Sequence, residues 1–189
     1  MVKMSKKFST KELIFIAVMS AFLFAVNFSI GSWVIVISGI PGSSVFVTGI
    51  TNLIVVTFVA LSLKRFGSIT LLYFIYGILS LPTNMNGGPP GFVWKVPIMA
   101  LTALSMESVF HFMGYTKKSF IFSLPALAAS GLLLYLGAYY FLGMPEFETI
   151  AKVWLVMLVV VMIMGCIGIQ IGFLLYNKLK DKPLLKQFT

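Results

Sequence analysis

Apolar residues in this chain come in near-continuous runs separated by short polar or basic stretches. Val153–Tyr176 is typical, with Gln170 as its only strongly polar side chain. A membrane-spanning strand alternates apolar and polar residues, whereas an unbroken apolar run of about 20 residues reads as a spanning helix. The pattern predicts helices over Glu12–Gly31, Ser44–Leu63, Ser68–Leu81, Phe92–Gly114, Ser119–Gly143 and Lys152–Tyr176. The third falls well short of the others and is expected to tilt, to re-enter, or to extend into the loop after it.

Composition sharpens this picture. Of 189 residues, 59% are hydrophobic and 10% charged, and the mean hydropathy is +1.03. Soluble domains carry about 25% charged residues, so a soluble fold could not hide this much apolar surface, and lipid is the expected solvent. The expected fold class is therefore an all-α integral membrane protein, a single domain over residues 1–189 with six transmembrane helices. The first run is too long for a signal-peptide core and has no small-residue cleavage site, so it is expected to be retained. The single cysteine, Cys166, lies inside the last run; it reads as a small buried hydrophobe and allows no intramolecular disulfide.

The charges give the helices a direction. The basic residues other than Lys95 and Lys152 fall in the N-terminal arm (Lys3, Lys6, Lys7, Lys11), the second connection (Lys64, Arg65), the fourth (Lys117, Lys118) and the tail (Lys178, Lys180, Lys182, Lys186). In a six-span chain all of these lie on one side, and Lys/Arg-rich connections mark the cytoplasm. Both termini are accordingly expected to be cytoplasmic. The net charge of +9 then reflects membrane topology and not nucleic-acid binding.

The outward connections differ in chemistry from the inward ones. Ser32–Ser43 is uncharged and rich in β-branched residues, which predicts an extended lid or short hairpin. Pro82–Gly91 is a dense turn signal, and Met144–Thr149 is polar. The inward turns are short and basic. Elaborated loops on one face point to ligand handling there.

Three ionisable side chains, Lys95, Glu107 and His111, fall within or beside the fourth run. Charges at membrane depth are costly and are functional candidates by default. Lys95 either snorkels to the interface or enters a pocket to meet a carboxylate, phosphate or carbonyl. Trp94 beside it serves as an interfacial belt residue or a stacking surface, and Asn84 and Asn86 offer amide groups from the same loop. Glu107 and His111 are four apart and share a helix face; they read as a structural pair, with a proton relay as the sharper alternative. Enzymatic readings find little support. There is no Gly-x-x-x-x-Gly-Lys-Ser/Thr phosphate cradle and no His-Glu-x-x-His. One histidine and one aspartate, Asp181 in the tail, do not build a hydrolytic triad or a metal site. The first run carries Ala17, Ala21 and Ala25 at four-residue spacing, a stripe that Ser20 adjoins. Small residues so placed let another helix approach closely.

Taken together, the six apolar runs, the basic N-terminal arm, the Ala17-x-x-x-Ala21 stripe continuing to Ala25, and the loop Asn86-Gly-Gly-Pro-Pro-Gly91 leading to Lys95 carry a likeness. They resemble the substrate-binding S-component of energy-coupling factor (ECF) vitamin transporters. A fainter likeness joins Gly87–Phe110, ending in Glu107-Ser-Val-Phe110, to the thiamine-precursor members. The resemblance implies a multi-pass subunit in a prokaryotic cell membrane that needs no cofactor. It would capture a vitamin-like heterocycle outside and deliver it inward with a transmembrane coupling subunit and two ATP-binding subunits. It implies that Ala17, Ala21 and Ala25 meet the coupling subunit. It places Trp33, Asn84, Asn86, Trp94, Lys95, Tyr139, Tyr140 and Trp154 in contention for the substrate. The competing expectation is a self-sufficient secondary permease or channel, with Glu107 and His111 as its coupling site.

Overall fold

The computed structural model describes residues 7–38, 44–83, 90–142 and 148–186, and among these it is helical with no strand. Six long helices run α1 (Thr10–Ser38), α2 (Ser44–Leu63), α3 (Ser68–Ser80), α4 (Lys95–Met113), α5 (Lys117–Leu142) and α6 (Glu148–Leu179), followed by a single turn, α7 (Pro183–Lys186). α1 starts with a reciprocal cap. The Ser9 backbone N–H donates to Glu12 Oε2 at 2.6 Å, and the Glu12 N–H donates to Ser9 Oγ at 3.3 Å, so two N–H groups of the helix start are satisfied. Arg65, between α2 and α3, reaches the same Glu12 oxygen at 2.6 Å and lies over the Phe8 ring.

α1 differs from its predicted span. It continues through Ser32–Ser38, where a lid or hairpin is expected from the sequence, while the rest of that connection, residues 39–43, lies outside the described residues. The run Val34-Ile-Val-Ile37 favours strands only as far as it has a partner to pair with. A helix satisfies its own backbone within the segment, which in an apolar surrounding outweighs the small helix penalty of β-branching. α6 also extends beyond its predicted span at both ends.

Neighbouring helices close into a ring in the order α1, α2, α6, α5, α4, α3 and back to α1, with α2 also touching α3. The tightest seam is α2 on α6. A Cβ at Gly168 would sit 2.8 Å from the Ile50 carbonyl oxygen, and one at Gly172 would sit 2.7 Å from Thr57 Cβ. Gly168-x-x-x-Gly172 thus lets the two backbones meet, as small residues four apart do in helix pairs. The core gathers Leu53, Val56 and Ala60 of α2, Leu72 and Tyr76 of α3, and Met106 and Phe110 of α4.

The outer surface is equally apolar. Phe22, Phe112, Ile163 and Leu174 are among many large hydrophobic side chains left exposed, far beyond the patches a soluble monomer shows. Segments Thr10–Val34, Lys95–Met113 and Leu158–Leu179 are each long and apolar enough to cross a membrane.

Candidate functional site

α3 has 13 residues, about 20 Å at 1.5 Å each, against a hydrocarbon layer of about 30 Å. The first N–H and last C=O groups of any helix lack partners within it and need them from elsewhere where water does not reach. α4, which packs against α3, supplies partners at both ends. At the start of α3 the Glu107 carboxylate, 2% exposed, accepts five hydrogen bonds. Oε1 receives the Ile69 N–H at 2.6 Å and the Ser68 hydroxyl at 3.2 Å. Oε2 receives the Gly67 N–H at 2.9 Å, the Thr70 N–H at 3.2 Å and the Thr70 hydroxyl at 2.7 Å. At the far end Lys95, also 2% exposed, donates from Nζ to the carbonyl oxygens of Thr83 and, at 3.5 Å, Ser80.

Each charge therefore has the sign that complements the dipole of the α3 end it meets. The geometry follows from spacing: Lys95 and Glu107 are twelve positions apart on α4, about 18 Å, close to the length of α3. Close packing keeps the two helices in register, since a Cβ at Gly77 would lie 3.1 Å from Val96 Cα. Burial, with the Glu107 carboxylate nearby, pushes the Tyr115 phenol in the α4–α5 turn up to about 12.

This arrangement decides between the sequence readings of α4. Glu107 is structural, but its partner is the α3 terminus and not His111. His111 is exposed and packs edge-on against Phe66, with ring centroids 5.4 Å apart. Among the described residues Lys95 holds the carbonyls of Ser80 and Thr83, at the root of the Pro82–Gly91 loop. That root is closed by the Gly91 N–H donating to the Leu81 carbonyl at 2.7 Å.

A second polar group lies between α1, α2 and α3. Asn27, fully buried, donates from Nδ2 to Asn52 Oδ1 and to the Tyr76 hydroxyl, both at 3.0 Å. The Thr51 hydroxyl donates to Asn27 Oδ1. Tyr73 meets Tyr76 edge-on at 6.0 Å. None of these residues is among those expected from the sequence, although an asparagine inside the first apolar run is a readable signal, since polar groups at that depth need partners from other helices.

Of the remaining expected site residues, Trp33 lies in the last turns of α1, Trp94 just before α4 and Tyr140 in the last turn of α5. Trp33, Trp94 and Tyr140 are 69%, 52% and 72% exposed. Asn84 and Asn86 lie outside the described residues, as do the side chains of Tyr139 and Trp154. Ala17, Ala21 and Ala25 are all exposed on one face of α1. Ser20, expected beside them, turns inward, and its hydroxyl lies 2.8 Å from the Ile16 carbonyl oxygen and 3.0 Å from that of Leu72. Among the described residues no three His, Cys, Asp or Glu side chains gather as a metal site.

Comparison with protein-family models, with curated proteins and with solved structures finds no match. The described residues define a class: a helical protein with three helices long and apolar enough to span a membrane, which is compatible with a membrane location.

Proposed function

We propose that this chain is the substrate-binding subunit of an ECF-type importer: a six-span protein of a prokaryotic cell membrane, with both termini in the cytoplasm. It captures a vitamin or related small heterocycle outside, thiamine or a precursor being one candidate. A transmembrane coupling subunit and two ATP-binding subunits drive release inward.

The observation that carries this reading is the alanine face of α1. Ala17, Ala21 and Ala25 are exposed together, on the helix side facing away from buried Ile16, Leu23 and Asn27. A flat strip of small side chains lets a partner helix approach closely. The commitment of Lys95 and Glu107 to the ends of α3 favours the same reading over an ion-coupled permease, because Glu107 is that alternative's coupling residue. In the proposed role Lys95 positions the root of the Pro82–Gly91 loop, and the uncharged groups of Asn27, Thr51, Asn52 and Tyr76 are candidates for the floor beneath the substrate.

Two measurements test the proposal. Mass spectrometry of small molecules released from gently purified protein is expected to find a bound heterocycle. Ala21→Trp is expected to abolish co-purification with the coupling subunit while leaving that ligand bound. A chain that carries no small molecule and takes up solute without any ATPase would be a permease.

A further inference from the structure

α1 and α6 both pack on α2, and between them runs an open apolar groove of about 150 Å³. Met19 and Phe22 of α1 form one wall, Leu175 and Leu179 of α6 the other, and Ile54 and Phe58 of α2 the floor. An apolar cavity of this size holds a benzene-sized molecule, so the groove has room for a stretch of hydrocarbon chain entering sideways from the bilayer.

Toward the end of the bundle where the groove lies, each of its three helices has a lysine in its terminal turn or directly beyond it. Lys11 precedes Phe15 by four residues and Phe22 by eleven, spacings that place all three on one face of α1, and Phe15 lies 6.3 Å from Phe58 at the groove floor. Lys178 follows Leu175 by three residues on the groove face of α6. Lys64 directly follows the last residue of α2. All three lysines are exposed. The acidic groups nearby are Glu12, which is engaged by Arg65, and Asp181, which is flanked by Lys180 and Lys182. The end of the bundle beside the groove is therefore strongly cationic.

We propose that this groove binds one anionic phospholipid, with an acyl chain between α1 and α6 and its phosphate against Lys11, Lys64 and Lys178. Basic clusters beside apolar helices select anionic over zwitterionic headgroups. The groove lies on the α2 and α6 side of α1, whereas the alanine face lies around the other side of the same helix, so the assignment stands independently of the proposed transport role.

The experiment is native mass spectrometry of the full chain purified in detergent with equal amounts of phosphatidylglycerol and phosphatidylcholine. One phosphatidylglycerol per chain is expected to survive detergent stripping. The triple variant K11Q/K64Q/K178Q is expected to lower its retention at least about fivefold, and Leu175→Trp, which fills the groove, to displace it with the lysines intact. Unchanged helical circular dichroism in both variants excludes misfolding. Equal retention of the two lipids, or retention unaffected by either variant, overturns the proposal. So does stabilisation by inorganic phosphate alone, which would mean a headgroup site without the groove. Dimers that disappear in Leu175→Trp would assign the groove to a second copy of the chain and also overturn it.

Discussion

Replacing Glu107 by alanine removes both carboxylate oxygens from the first turn of α3 and leaves the N–H groups of Gly67, Ile69 and Thr70 without their acceptor. A buried donor left unpaired costs roughly 1–3 kcal/mol. The three share one acceptor and their costs do not add. The Ser68 hydroxyl retains a second acceptor in the Arg65 carbonyl at 2.8 Å, which softens the loss. The expected destabilisation is therefore about 3–5 kcal/mol, the range for stripping one partner from a buried charged cluster. Glu107→Gln keeps one acceptor oxygen but turns an amide toward the remaining N–H groups, so it should recover less than half of that loss. Reversible unfolding in mixed micelles of detergent and sodium dodecyl sulfate, followed by circular dichroism, reads both variants. If Glu107→Ala unfolds within about 0.5 kcal/mol of the parent chain, the change ordinary surface substitutions produce, the carboxylate does not hold α3 and the reasoning fails.

Other substitutions probe separate parts of the bundle. Lys95→Met should destabilise by about 1–3 kcal/mol and add to Glu107→Ala within about 0.5 kcal/mol in the same unfolding assay, because the two act at opposite ends of α3; strong coupling would mean that they do not act separately. Gly168→Leu places a branched side chain where even a Cβ lies 2.8 Å from the Ile50 carbonyl. Its expected cost, about 1–3 kcal/mol or more, should appear as a lowered Tm, and an unchanged Tm would mean that α2 and α6 do not meet this closely. The Thr57 hydroxyl is buried without a hydrogen-bond partner among the described residues, so Thr57→Val should leave the Tm unchanged or raise it; a lowered Tm would show that the hydroxyl has a partner after all.

Much of the fold is written in the apolar runs, since each predicted span falls on a helix and the third run is visibly the shortest. The meaning of that shortness is harder to read. Lys95 and Glu107 stand out as charges in an apolar run, but taken singly each suggests a ligand or a relay. Their roles emerge only when their separation on α4 is set against the length of α3, a comparison between two helices that a scan along one chain does not make. The same holds for Asn27, whose partners come from α2 and α3. The continuation of α1 through Val34–Ile37 runs against the expected lid because β-propensity describes a residue's fit to a sheet, and a segment with no strand beside it takes the helix. Gly168 and Gly172 show the same four-residue spacing of small residues as Ala17 and Ala21, but here the spacing serves a contact within the chain.

In the proposed membrane-spanning role, the pairing of α3 with α4 also constrains how the protein is made. α3 alone is shorter than the hydrocarbon layer, and α4 alone carries two buried charges, Lys95 and Glu107, which are costly at membrane depth without partners. Together each removes the other's penalty. In that role the two enter the bilayer most cheaply as a preassembled hairpin, after synthesis has passed Glu107. A ribosome paused between Ser80 and Lys95 would hold a segment with no stable place in the membrane. In the nascent chain, then, the stretch from Ser68 to Met113 behaves as one unit of insertion.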